Sequence, residues 1–358
     1  MNGIEKIKAK SKDEQLEMAK NPSTSEEDLI MLAKVGNHRV RKVLANREGV
    51  STATMLSFIQ NSYLKLVISE RKNLPREIIF KLTEEDNWVI REKIASHPEL
   101  PKEVILDLAN DESDYVRESL LANHKFSEDF LMEVVKNDKR LIRKTFASSE
   151  PLPEAVAREL VKDDYWGTKV ALAKNSTAPA DVLAELTKDR QAVVRKALCQ
   201  APKLPQDILK TLGNDENEGV IEELFKREDF TEQDLDIFIE STNWRARAQV
   251  VKNSNVTEKQ LLVLAGDGEK RVKIQMAKMP KLPDEVVLKL VFGETQGNNI
   301  RKLVLKKELS TNVLVQLSKE GDSYVKKVIS KRGDLPEEAI KILSEDGDEK
   351  IKANLKAS

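Results

Sequence analysis

The sequence predicts an all-α solenoid, on three observations. A repeat runs through the chain with a 26-residue period, apolar residues recur at helical spacing inside each copy, and no segment shows the period-2 alternation of a strand. Four stretches display the repeat: WVIREKIASHPELPKEVILDLAND from 88, RLIRKTFASSEPLPEAVARELVKD from 140, AVVRKALCQAPKLPQDILKTLGND from 192 and KRVKIQMAKMPKLPDEVVLKLVFG from 270. Taking the basic position as origin, copies fall at Gln15, Arg41, Lys65, Arg91, Arg117, Arg143, Lys169, Arg195, Ile221, Arg247, Lys273, Arg301, Lys326 and Lys352. Ten of the thirteen spacings are 26 and the others are 24, 28 and 25, so a division of the 358 residues into domains by length does not apply. Residues 1–12 read as an N-terminal cap segment. Residues 13–358 read as a single α-solenoid repeat domain whose truncated last copy, EKIKANLKAS, is a capping repeat.

Each copy reads as two helices. The first is short, with Val89, Ile94 and Ala95 expected on one face. Its last core position is small in most copies (Ala19, Ala45, Ser69, Ala95, Ala147, Ala173, Cys199, Ala277, Ser330), which lets neighbouring helices approach closely. Cys199 therefore reads as a packing residue and not as a nucleophile. The second helix starts ten residues after the origin. Pro stands there at 75, 101, 153, 179, 205, 283 and 336, and Ser or Thr at 25, 51, 127, 231, 257 and, one residue early, 310. Pro suits the first helical turn and a hydroxyl suits the orphan amides at a helix start. Ile105 and Leu108 then recur at helical spacing, and Gly or Asn-Asp closes the copy. One such copy cannot bury its own apolar face, so stability must come from stacking. Helices packed about 9–10 Å apart would give an arc on the order of 120 Å.

The template VR-xx-LA-x-NP-x-LP-xx-VL-xx-LA-x-D is carried by residues 40–46, Arg91 through Leu108, and Val194-Arg195 through Leu212, and extends over about residues 13–358. It resembles the leucine-rich repeat variant family and, more loosely, HEAT-type repeats. The resemblance implies a right-handed superhelical solenoid, here of about thirteen 26-residue two-helix repeats, in which an α-helix alternates with a shorter, often 3₁₀-like one. The period exceeds the 24 residues typical of that family, which implies a longer and more α-like first helix. The cysteine-rich iron–sulfur module found in some members is absent from residues 1–30, which contain no Cys.

Composition excludes more than it names. With 60 Lys+Arg against 61 Asp+Glu, the formal charge of −1 argues against a generic polyanion binder. One Cys excludes an internal disulfide and any all-thiolate metal site. His38, His97 and His124 fall in different columns and read as turn or surface residues, so no metal or cofactor is expected. No GxSxG, Walker loop or Gly-rich dinucleotide turn is present, and the chain reads as non-enzymatic. The charged start has no signal-peptide character and no apolar run is long enough to span a bilayer, so a cytoplasmic setting without membrane contact is expected.

Two columns are candidates for binding. The basic column (Arg41, Lys65, Arg91, Arg117, Arg143, Lys169, Arg195, Arg247, Lys273, Arg301, Lys326) would form a positive stripe able to track phosphates. It reads better as an internal ladder. Asp86, Asp138, Asp164 and Asp189 stand three to six positions before an origin and are expected to tie the loop to the following helix. The polar aromatics Tyr63, Trp88, Tyr115, Tyr165, Trp166, Trp244 and Tyr324 all lie two to four residues before an origin. Trp88, Trp166 and Trp244 share one column, which otherwise holds Lys, His, Ser, Asp, Arg, Ala, Glu or Asn, so packing does not demand a ring there. Charge drifts as well: residues 213–240 hold eleven acidic and two basic side chains, and residues 301–332 nine basic and three acidic.

The leading reading is an interaction scaffold for a protein or peptide, anchored by Trp88, Trp166 and Trp244. The alternative is a nucleic-acid-binding HEAT-like protein, similar to certain DNA glycosylases, using the basic column. Successive Trp residues three repeats apart, about 30 Å, are too distant for one base pocket. A structural role through self-association is the third reading.

Overall fold

The computed structural model describes residues 3–293 and 298–357; residues 1, 2, 294–297 and 358, and with them parts of the expected cap segment and repeat domain, lie outside the described residues. Among the described residues there are 28 α-helices of six to ten residues and no strand. Among the described residues no helix is long and apolar enough to cross a membrane. The chain forms two compact units, Met1–Val182 and Leu183–Ser358.

Both units repeat the same two-helix motif. In the first, the helix Trp88–Ala95 is followed by a turn and the helix Lys102–Ala109. The first helix is α throughout, as the 26-residue period implies. The face it buries differs from the expected one: Ile90, Ile94 and Ala95 are buried and Val89 is half-exposed. Ile90 and Ile94 are four apart and align on one face, whereas Val89 is rotated away from that row. The second helix behaves alike, burying Val104 and Leu108 and leaving Ile105 half-exposed. The same column, one residue before the origin, is fully buried at Val40, Leu64 and Val116 and again at Val194, Val220 and Val272 in the second unit. Each fully buried aliphatic chain contributes about 1.5–3 kcal/mol.

Helix starts follow the ten-after-origin rule with one change. Ser25, Ser51, Ser127, Thr231, Thr257 and Ser310 are N-caps whose hydroxyls accept from the backbone N–H three residues on. The prolines at 75, 101, 153, 205, 283 and 336 are also N-cap residues, not first-turn residues. Their fixed φ suits the extended backbone there, and the missing N–H would have no intrahelical acceptor at that position.

Within each unit like packs on like. Trp88–Ala95 lies against Asp114–Asn123 and Arg140–Ala147 against Trp166–Lys174; in the second unit Trp244–Val250 lies against Lys270–Ala277. Small residues fill the column between them, and Cys199 is one of these. It is buried, its Sγ 3.6 Å from Val220 O, and burial pushes its thiol up to about 12. A thiol held protonated in this way is inert as a nucleophile.

Candidate partner-binding surface

The basic column points into the repeat interfaces. At Arg91 the guanidinium donates from Nε and NH2 to both oxygens of Asp111, at 2.6 and 2.9 Å, and from NH1 to the carbonyls of Glu85 and Asp86. Arg143–Asp163, Arg195–Asp215 and Arg247–Asp267 repeat the bidentate geometry, with NH1 on the carbonyls of Asn137, Asp189 and Ser241. The carboxylate lies twenty residues downstream, in the loop of the next repeat. This corrects the expected pairing with acids just upstream: Asp86, Asp138 and Asp189 lend their backbone carbonyls, and the Asp164 carboxylate reaches back to Arg143 at 3.2 Å. Asp111, Asp163, Asp215 and Asp267 each also accept an N–H from two residues on, as Asp163 does from Tyr165, so one carboxylate shapes its own turn and staples the preceding repeat.

Other positions of the column are variations on this theme. Lys65 pairs with Glu85, Lys326 with Asp346 and Arg301 with Asp322, while Arg41 donates to the carbonyls of Ala33 and Lys34. Arg117, whose twenty-on residue is Asn137, turns to Asp111 O and Asp114. Gln15 does the work with an amide on Ile7 O and Lys10 O. Lys169 and Lys273 are half-buried. Burial raises the Asp163 carboxyl, but Arg143, the Tyr165 N–H and the Thr168 hydroxyl outweigh it and bring the group from 3.8 to about 2. A stripe of cations whose donors are already satisfied has little left for phosphates.

One rung is missing. Ile221 stands at the origin, fully buried, and Ser241 stands where its aspartate would be. Ser241 Oγ donates to Gly213 O, and Asn243 Nδ2 takes Asp215 O, the carbonyl an arginine at 221 would have used. A second inter-repeat column, six residues after the origin, had no counterpart in the sequence reading. Arg47, Asn175, Arg227 and Arg332 donate to carbonyls 25–28 residues earlier, such as Ala19 O, Ala147 O, Cys199 O and Leu305 O. Its donors vary among Arg, Asn and Lys, and other copies carry Ser149, Ala201 or Met279 there, which concealed the pattern.

The aromatics stand at or just before the first turns of the short helices, where a side chain has left the core. In the first unit Trp88 is 42% exposed, Tyr115 63% and Trp166 43%. Trp88 and Tyr115, on adjacent repeats, stack with centroids 5.0 Å apart and planes 24° off parallel. Tyr165 meets Trp166 at 5.6 Å and carries the Arg140 guanidinium 5.0 Å from its ring centre. Tyr63 is half-buried against His38 at 4.6 Å. A cavity of about 560 Å³ opens beside this row, lined by Asn110, Asp138, Arg140, Asp164 and Tyr165 among others.

In the second unit Trp244 is half-buried. Arg245 and Arg271 cover it, 4.8 and 4.7 Å from the ring centre, at one side of a groove of about 340 Å³ that also takes in Glu218, Ile221 and Lys278. Tyr324 is half-buried as well. Many charges in the two patches are locally paired, among them Lys226–Glu223, Arg227–Asp229, Lys327–Asp348 and Arg332–Asp334. The histidines keep to the turns and surface expected of them, with His38 exposed, but the other two are drawn inward. His97 lies in a turn and is buried, and His124, half-buried in a loop, donates from Nε2 to Ala95 O at 2.9 Å, with burial pushing its pKa down. Among the described residues no three His, Cys, Asp or Glu side chains form a metal-binding group.

No family model matches the chain, and no curated protein matches it. Among solved structures, the chain is similar to one described as a leucine-rich repeat variant with a novel repetitive protein structural motif, at 21% identity over 62% of this chain and 87% of that one, with a TM-score of 0.35.

Proposed function

We propose that the protein is a non-enzymatic interaction scaffold that binds a protein or peptide through the aromatic row of its first unit, with Trp88, Tyr115 and Trp166 as anchors. The observation that carries this reading is the Trp88–Tyr115 pair: two large rings, on adjacent repeats, exposed at positions the core does not need. Exposed rings of this size are costly to leave in water and contribute most where a partner desolvates them. A helical repeat suits such a role because stacked copies present an extended surface. The basic column lends no support to a phosphate track, since its arginines donate to carboxylates and carbonyls inside the repeat interfaces. Affinity capture from a lysate at two salt concentrations, with and without nuclease, tests the reading. A discrete protein retained at the higher salt after nuclease supports it, and capture lost to nuclease contradicts it.

A further inference from the structure

The column that holds Trp88 also holds Trp244, and the two environments differ in one respect. Trp244 lies three residues before its origin; Arg245, two before the same origin, and Arg271, two before the next, sit at 4.8 and 4.7 Å from its ring centre. At Trp88 the corresponding residues are Val89 and Tyr115. Tyr115 stacks on the indole where Arg271 would lie, and nothing cationic takes the place of Arg245. Tyr165, in the same unit as Trp88, likewise has an arginine of its own, Arg140. The Trp88–Tyr115 pair is thus an aromatic site built like its neighbours but without their guanidinium.

The charge around it is complementary to a cation. The segments 84–87 and 111–114, which lead into the two rings, hold six acidic residues and no basic one. Glu85, Asp111 and Asp114 are committed to Lys65, Arg91 and Arg117. Asp86 is exposed, and the Glu112 side chain, 89% exposed, approaches only Arg91, at 3.7 Å. Arg91 and Arg117, the nearest cations on these helices, are both buried. The field at the exposed rings is therefore negative, which disfavours nucleic acid and favours a basic segment.

From this juxtaposition we infer that the Trp88–Tyr115 pair binds an arginine side chain of a partner peptide, the guanidinium lying on the indole as Arg245 lies on Trp244, with Asp86 and Glu112 pairing its edge or a neighbouring basic residue. Arginine is favoured over lysine because a planar guanidinium stacks on a ring while its N–H groups still reach carboxylates. The inference rests on the proposal that this row is the binding surface, and specifies the ligand chemistry there.

The test uses the full chain and two peptides, acetyl-GRGRGRG-amide and acetyl-GKGKGKG-amide, with a dT12 oligonucleotide as a third probe, titrated by calorimetry at low and moderate salt. The arginine peptide should bind about 5–10-fold more tightly than the lysine peptide, and the preference should survive added salt. Trp88→Ala should abolish the preference. Val89→Arg and Tyr115→Arg, which supply the missing guanidinium internally, should each weaken arginine-peptide binding at least as much while the far-UV spectrum and melting stay unchanged. Equal binding of the two peptides, indifference to Val89→Arg and Tyr115→Arg, or tighter binding of dT12 would overturn the inference. If a captured partner is lost from Trp88→Ala while neither peptide binds the wild type, the arginine specificity fails and the protein-binding surface stands. If a captured partner is also indifferent to Trp88→Ala, both fail.

Discussion

Removing one arginine of the ladder should be far costlier than its place in a charged, solvent-rich sequence suggests, and the chain itself supplies the compensating change. Consider Arg143→Ile. The guanidinium makes two bonds to Asp163, at 2.7 and 2.9 Å, and one to Asn137 O at 2.7 Å, and the Asp163 side chain is only 3% exposed. Without Arg143, that carboxylate keeps the Tyr165 N–H and the Thr168 hydroxyl but has lost its guanidinium. Breaking one partner of a buried pair costs about 3–5 kcal/mol, because the remaining charge is left uncompensated. Adding Asp163→Ser recreates the combination at Ile221 and Ser241, which the protein already tolerates. The double variant should therefore recover at least about 2 kcal/mol of that loss, a positive coupling for residues in direct contact. Urea denaturation followed by circular dichroism gives the three free energies. Hydrogen exchange in the helices Arg140–Ala147 and Trp166–Lys174 localises the effect if the stacked repeats do not unfold as one unit. A single variant costing under about 1 kcal/mol, or a double variant costing the sum of both singles, would refute the staple as a stabilising device.

The converse substitution and the pH response follow from the same geometry. Ile221→Arg with Ser241→Asp should install the missing rung and be more stable than either single change, each of which buries an unpaired charge; denaturation midpoints of the four proteins decide this. His124 has its pKa lowered by burial, so the unfolded chain takes up the proton more readily. Its contribution to stability is complete above its unfolded value of about 6.5 and is lost as pH falls below it, and His124→Gln should flatten the melting temperature across that window relative to wild type.

Much of the fold was legible because a repeat reports each structural demand many times over. Helix starts, the small-residue column and the burial of Cys199 could be read from residue type at a fixed offset. The faces were read one residue off, Val89 and Ile105 for Ile90 and Val104, because adjacent apolar residues in a short helix leave the phase of the stripe open. The ladder was legible as a ladder but not in its pairing. Acids stand both just before an origin and twenty residues after it, and only in the fold do the nearer ones prove to lend carbonyls. The column six residues on was hidden because Arg, Asn and Lys can all donate to a carbonyl there, so the chemistry is kept while the letter changes. Of the aromatic column, the sequence identified the positions but not their split into bare rings at Trp88 and Tyr115 and an arginine-covered ring at Trp244, which depends on what the residues two before adjacent origins bring to the same place.

The claim that binding lies with the exposed rings and stability with the internal ladder is tested most directly by one variant, Trp88→Ala with Tyr115→Ala and Trp166→Ala, measured for capture of its partner and for thermal unfolding in parallel. The account predicts that capture is abolished while the melting temperature changes by no more than a few degrees, since all three rings lie outside the repeat core, 42–63% exposed. A variant that still captures the partner at wild-type level, or one that unfolds, would show that these rings belong to packing and that the binding surface lies elsewhere.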